Sequence, residues 1–96
     1  MIRREQDRLI VSGPVTLGNV ATLMHEASSQ LPGVRVIDLG EVSEIHSALL
    51  AAMLAWMREA QRHESPVAFA RVPQGLLTIA RLYGVDALLP MESGTA

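Results

Sequence analysis

The chain has 96 residues, 49% of them hydrophobic, a formal net charge of −2 at pH 7 and no cysteine. That length suits one domain with a modest core. Disulfide and thiolate chemistry are excluded, and the charge balance offers no footprint for nucleic acid. The basic start, Met1-Ile2-Arg3-Arg4, is not followed by the apolar core of a secretory signal, and the longest apolar-rich run, Ala48 to Met57, is too short to cross a bilayer. The expectation is a single cytoplasmic domain over residues 1–96, ordered from about 8 to 90, with no direct membrane insertion and a frayed tail over 91–96.

Arg3 to Ser12 reads as extended chain, strongest at Arg8-Leu9-Ile10-Val11, with a turn near Gln6-Asp7 that lets the charged start pair back. Gly13-Pro14 ends that strand. Thr16 or Gly18-Asn19 is placed to cap a helix over Val20 to Gln30, in which Val20, Ala21, Leu23, Met24 and Ala27 recur at helical spacing, with Leu31 following. Pro32-Gly33 stops it. Val34 to Leu39 is a β-branched, apolar run of the kind covered on both faces. Gly40 to Ile45 reads as a connection, with Ile45 returning the chain to the core.

The next helix is broken by His63-Glu64-Ser65-Pro66. Val67 to Val72 is a second core strand. Pro73 suits the first turn of a helix running to about Tyr83, with Leu76, Leu77, Ile79, Ala80 and Leu82 as its apolar positions, and Gly84 suits its stop. Val85 to Leu89 holds a last short strand or turn. The order β(β)-α-β-α-β-α implies an α/β fold: a mostly parallel central sheet of four to five strands with three to four helices packed on it.

The helix after Ile45 carries the candidate site. On a wheel of about 100° per residue, Leu50, Met53, Leu54, Met57 and Ala60 form one face, with Leu49 at its edge. Ser47, Ala48, Ala51, Ala52, Ala55, Arg58, Glu59 and Arg62 fall on the other. An exposed face normally carries Lys, Glu and Gln, whereas this one is alanine for two turns. Small side chains let another surface approach closely, so the face through Ser47, Ala51 and Ala55 reads as a docking surface. Alanine is also simply the best helix former.

A strand ending Ile37-Asp38-Leu39, then Val42-Ser43-Glu44-Ile45, then a hydroxyl residue opening a Leu/Ala-rich helix, resembles a STAS domain. These are the domains of anti-sigma-factor antagonists and sulfate-transporter tails. Gly75 to Val85 with Leu88-Leu89-Pro90 looks most like the branch of small cytoplasmic subunits of Mla phospholipid ABC transporters, the MlaB-like proteins. The resemblance runs from about Leu9 to Pro90. It implies a STAS-like fold and a non-enzymatic interaction subunit, peripheral to the inner membrane through its complex, that binds and regulates a transporter ATPase. The partner-binding residues would be Ile45, His46, Ser47, Ala48, Ala51, Ala52, Ala55 and Arg58. The alternative it implies is an antagonist that binds a kinase-like anti-sigma factor.

The antagonists carry an Asp-Ser pair where this chain has His46-Ser47, and the serine there is phosphorylated. That makes Ser47 the candidate phosphoacceptor; a phosphate there would meet the N-terminus of a helix and add about −1.5 to −2 charges to the docking face. His46 departs from the acid, and Ala48-Leu49 replaces a Gly-rich turn. The plain reading is that Ser47 caps the helix.

His25, His46 and His63 have no metal-ligand spacing, and His46 beside Ser47 is not a nucleophile–base pair, since neighbours on a helix point about 100° apart. Asp38 belongs to the structural pattern, and no Gly-rich phosphate loop is present. No catalytic residue, metal or cofactor is expected. In isolation the alanine face could pair two copies of the chain.

Overall fold

A computed structural model describes residues 1–92. The elements are β1 (Ile2–Glu5), β2 (Arg8–Pro14), α1 (Val20–Gln30), β3 (Val36–Glu44), α2 (Ser47–Arg62), β4 (Ala68–Ala70), α3 (Gln74–Leu82) and a 3-10 turn, Asp86–Leu88. The sheet order is β1-β2-β3-β4; β1 is antiparallel to β2, and β2, β3 and β4 run parallel. Each parallel step moves one strand across. Right-handed crossovers then place the helices on one face, where α2 packs between α1 and α3.

Strand alternation supplies the core. Leu9, Val11, Ile37, Leu39 and Phe69 point toward the helices and meet Leu23 and Ala27 of α1, Leu49, Met53 and Trp56 of α2, and Leu76 and Ala80 of α3. Arg4, opposite Leu9 on the same face, closes the end of α1. Its guanidinium donates to the carbonyls of Gln30 and Pro32 at 2.9 and 2.8 Å. Gly33 (φ 85°) lies under it, where a Cβ would stand 2.7 Å from Arg4 Nη2. A left-handed backbone with no side chain is therefore needed at Gly33, and β1 is stapled to α1.

Two expectations about β3 are corrected. Gly40 to Glu44 is strand and not connection. Ser12, Gly13 and Pro14 of β2 remain available as partners past a bulge, so pairing continues to Pro14↔Glu44. Helices cover only one face of β3. On the other face the register sets Arg3, Ile10, Asp38 and Ala70 in one row.

Asp38 is 3% exposed and is fully engaged. Its carboxylate accepts from Arg8 Nη1 at 2.8 Å, Arg71 Nε at 3.0 Å and the Gly40 amide at 2.8 Å. Arg71 has φ 52°, a left-handed turn that folds its side chain back over the sheet. The guanidinium lies over Gly40, where a Cβ would come within 2.5 Å of it. Arg3 donates to Glu5 and Glu41, and Arg8 to Glu92. These ion pairs roof the helix-free face, and Ile10 and Ala70 are buried beneath it.

The order extends back to Ile2 and forward past Pro90. Phe69 N–H donates to the Pro90 carbonyl at 2.8 Å, and Glu92 N–H to the Phe69 carbonyl at 2.9 Å, which seats Met91 beside β4. The tail expected to fray from 91 therefore begins with two residues tied to the sheet; 93–96 lie outside the described residues. Val85 to Leu89 holds the 3-10 turn, and Leu82, one of the apolar positions of α3, is exposed.

Candidate functional site

Parallel strands bring the loop after β2, the loop after β3 and the loop after β4 to one end of the sheet, where all three helices begin. The connection into α2 is only Ile45-His46. His46 is the N-cap (φ −144°, ψ 146°), and its Nδ1 accepts from the Ala48 amide at 3.0 Å. Capping by the first hydroxyl, the plain reading of Ser47, is thus corrected: the imidazole takes that role one residue earlier. An acid in this place would cap through its carboxylate oxygen; here a ring nitrogen does so. Ser47 is the first helical residue and is exposed, and its hydroxyl forms no hydrogen bond among the described residues.

Ile45 does not return fully to the core. It is 46% exposed, with its tip on Gly75, where a Cβ would stand 2.8 Å from Ile45 Cδ1. The loop before α2 therefore rests on the first turn of α3 through a position that suits a small residue.

The wheel assignment of α2 is corrected by about one residue step. Leu49, Ala52, Met53, Trp56 and Ala60 are buried, with Ala48 and Leu50 buried at the flanks. The physical reason is Trp56: the largest side chain of the helix is 1% exposed and lies at the centre of the inner face. Ala48 and Ala52, expected outside, are core residues whose small size lets the helix sit close to what it covers. Glu59 turns toward α1, accepting from Ser28 Oγ.

The outer stripe is Ser47, Ala51, Ala55, Arg58 and Arg62, with Leu54 half-buried among them. Leu54, expected in the core stripe, packs against the core from the edge of this outer stripe. Its spacing, three residues past Ala51 and four before Arg58, is the signal that places it on this stripe. Of the expected partner-binding residues, Ile45, His46, Ser47, Ala51, Ala55 and Arg58 keep an accessible surface, and Ala48 and Ala52 do not. The sequence reading missed Leu17, 76% exposed in the loop after β2 at the same end.

The titratable groups with altered acidity lie away from α2. Burial pushes the Asp38 carboxyl up, but hydrogen bonds from Arg71, the Gly40 amide and Arg8, with the Arg71 charge, hold it below its usual value. The Arg3 guanidinium likewise holds the Glu41 carboxyl down. Among the described residues no cluster of His, Asp and Glu is arranged to hold a metal ion, and no helix is long and apolar enough to cross a membrane.

A chain of the Acinetobacter MlaFEDB complex, in its ATP-bound Vtrans2 conformation, superposes with a TM-score of 0.82 over 96% of this chain and 99% of that one, at 20% identity. The anti-sigma factor antagonist SpoIIAA in its unphosphorylated form superposes with a TM-score of 0.70 over 98% of this chain and 88% of that one, at 12% identity. No characterised protein matches by sequence at a significant level. At such identities these likenesses establish the fold, α/β of the STAS type. Membership rests on the sequence itself, since the STAS domain family of the Mlab type matches residues 2–90: the chain belongs to that family.

Proposed function

We propose that the chain is a non-catalytic, cytoplasmic subunit that docks on the ATPase of an Mla-type phospholipid ABC transporter and stabilises or tunes it. The observation that carries this reading is the outer stripe of α2. Ser47, Ala51 and Ala55 leave two helical turns with almost no side chain, Leu54 adds a half-buried apolar contact, and Arg58 closes the stripe with a charge. Ile45, resting on Gly75, and His46, the N-cap, extend the surface to the strand ends. Such a convex, small-residue strip suits a partner helix that approaches closely. The likeness to a chain of the MlaFEDB complex supports an ATP-driven transporter as the partner.

A second reading draws support from Ser47 itself. It is exposed, it does not cap, and it stands where the antagonists of this family are phosphorylated. Under that reading the same stripe binds a kinase-like anti-sigma factor and phosphate on Ser47 releases it.

The test is affinity capture of the tagged protein from its native cell, alongside Ala51→Arg and Ser47→Glu, with mass spectrometry. The expected result is recovery of an ABC ATPase with its permease. Both variants should lose it while keeping the native circular dichroism spectrum. Capture of a kinase-like anti-sigma factor, or phosphate on Ser47, moves the assignment to the antagonist. Capture only of further copies of the chain overturns both.

A further inference from the structure

We propose that His46 makes the first turn of α2 sensitive to protons, so that the docking surface is ordered when the imidazole is neutral and loosened when it is charged. Its role in docking rests on the reading above; the switch itself does not.

The geometry is specific. The Ala48 amide donates to His46 Nδ1 at 3.0 Å, and Nδ1 can accept only while it carries no proton. Protonation turns the acceptor into a donor aimed at another donor. It also places a positive charge at a helix N-terminus, where the exposed N–H groups and the macrodipole already present positive charge. Loss of the bond and this repulsion act in the same direction. An Asp, Asn or Ser cap keeps its acceptor through neutral and mildly acidic pH, so the histidine is what makes this cap titrate.

His46 takes part in no ion pair among the described residues. On the elements that meet at this end, the loop after β2 (residues 15–19) has no titratable group, and neither do the first three turns of α2, before Arg58, nor the first two turns of α3, before Arg81. On β3 the charges are Glu44, two residues before His46 and exposed, Glu41, committed to Arg3, and Asp38, committed to Arg8 and Arg71. In the loop after β4 the charge is Arg71, held by Asp38. Ala48 is itself buried, so its amide has little solvent to turn to once the ring nitrogen is lost.

The device is read without any partner. Hydrogen-exchange protection of the Ala48 amide and its first-turn neighbours, corrected for intrinsic rates, is followed by NMR from pH 8 to pH 5. The titration of the His46 ring is recorded in the same samples. Protection should fall about fivefold, the equivalent of a cap worth roughly 1 kcal/mol, with its midpoint at that of the His46 ring. His46→Asn, which caps without titrating, should stay protected throughout, and His46→Ala should be unprotected at both ends. Protection that stays level while the His46 ring titrates, or that falls equally in His46→Asn, overturns the proposal. Failure to capture a transporter ATPase leaves these NMR results untouched and counts only against the docking reading.

Discussion

Asp38 is a charged residue between two fully buried apolar ones, Ile37 and Leu39, and the register explains it. The strand alternates Ile37 and Leu39 toward the helices, so Asp38 must face the other way, into a row where Arg8 and Arg71 can reach it. A carboxylate this buried is tolerated because its partners are fixed: Arg71 by a left-handed backbone, and the space above Gly40 by the missing Cβ. Asp38→Asn keeps the shape and the bond to the Gly40 amide but removes the charge both arginines answer. Arg71 and Arg8 are partly exposed and can turn to water, so the cost is about 1–3 kcal/mol and not that of stranding a buried charge. The sign of the pH effect follows from the lowered pKa of Asp38. The native contribution is complete above the ordinary carboxylate value of 3.8 and is lost as the pH falls below it, toward the lower folded value. Urea midpoints for both proteins should therefore differ at pH 7 and converge toward pH 2; a gap that ignores pH would show that the charge is not its source.

Helix α2 shows how much of the candidate site was legible. Its start after a β-branched strand, its length and the small-residue outer face were readable because periodicity and alanine content are local properties. Its rotation was not. Leu50, Leu54 and Met57 are as apolar as Leu49 and Met53, and a wheel gives them equal weight. What fixed the rotation was Trp56 in the core, a tertiary outcome. The same limit hid the end of β3, since only the partner β2 reveals that Gly40 to Glu44 stays paired. The rotation makes a sharp contrast between adjacent alanines. Ala51→Arg places its guanidinium in solvent and should shift stability by less than about 0.5 kcal/mol. Ala52→Arg buries it against the sheet layer and should prevent folding. Leu49→Ala, which empties a fully buried position, should cost on the order of 2–5 kcal/mol. Thermal melts of the three variants check the assignment; an Ala52→Arg that folds normally would return the helix to the rotation expected from the wheel, and an unfolded Ala51→Arg would contradict both rotations.

Taken as a whole, the molecule has one helical layer on a four-stranded sheet, and it must protect both the bare face and the two outer edges. The charge roof serves the face. At the β4 edge the chain uses its own C-terminal segment. β4 has only three residues, and its outward N–H and C=O at Phe69 would otherwise invite another strand. Pro90 and Glu92 take both groups. Glu92 also ties the segment to the roof, since its carboxylate accepts from Arg8 at 3.0 and 3.3 Å, across β3 and β4. Backbone pairing and the ion pair are thus two holds on one segment, and they can be separated. Glu92→Lys keeps the backbone N–H and reverses the charge facing Arg8. A partly exposed pair of this kind is worth about 0.2–1 kcal/mol, which for a domain of this size is a fall in Tm of roughly 1–8 °C. The local effect should be larger than the global one, because only the last residues are released. Exchange of the Phe69 amide should rise severalfold, while the amide of Ile37, on the neighbouring strand, stays protected. Equal protection of Phe69 in both proteins would mean that strand pairing alone holds the segment. A matching loss at Ile37 would mean that the ion pair supports the sheet as a unit and not its edge.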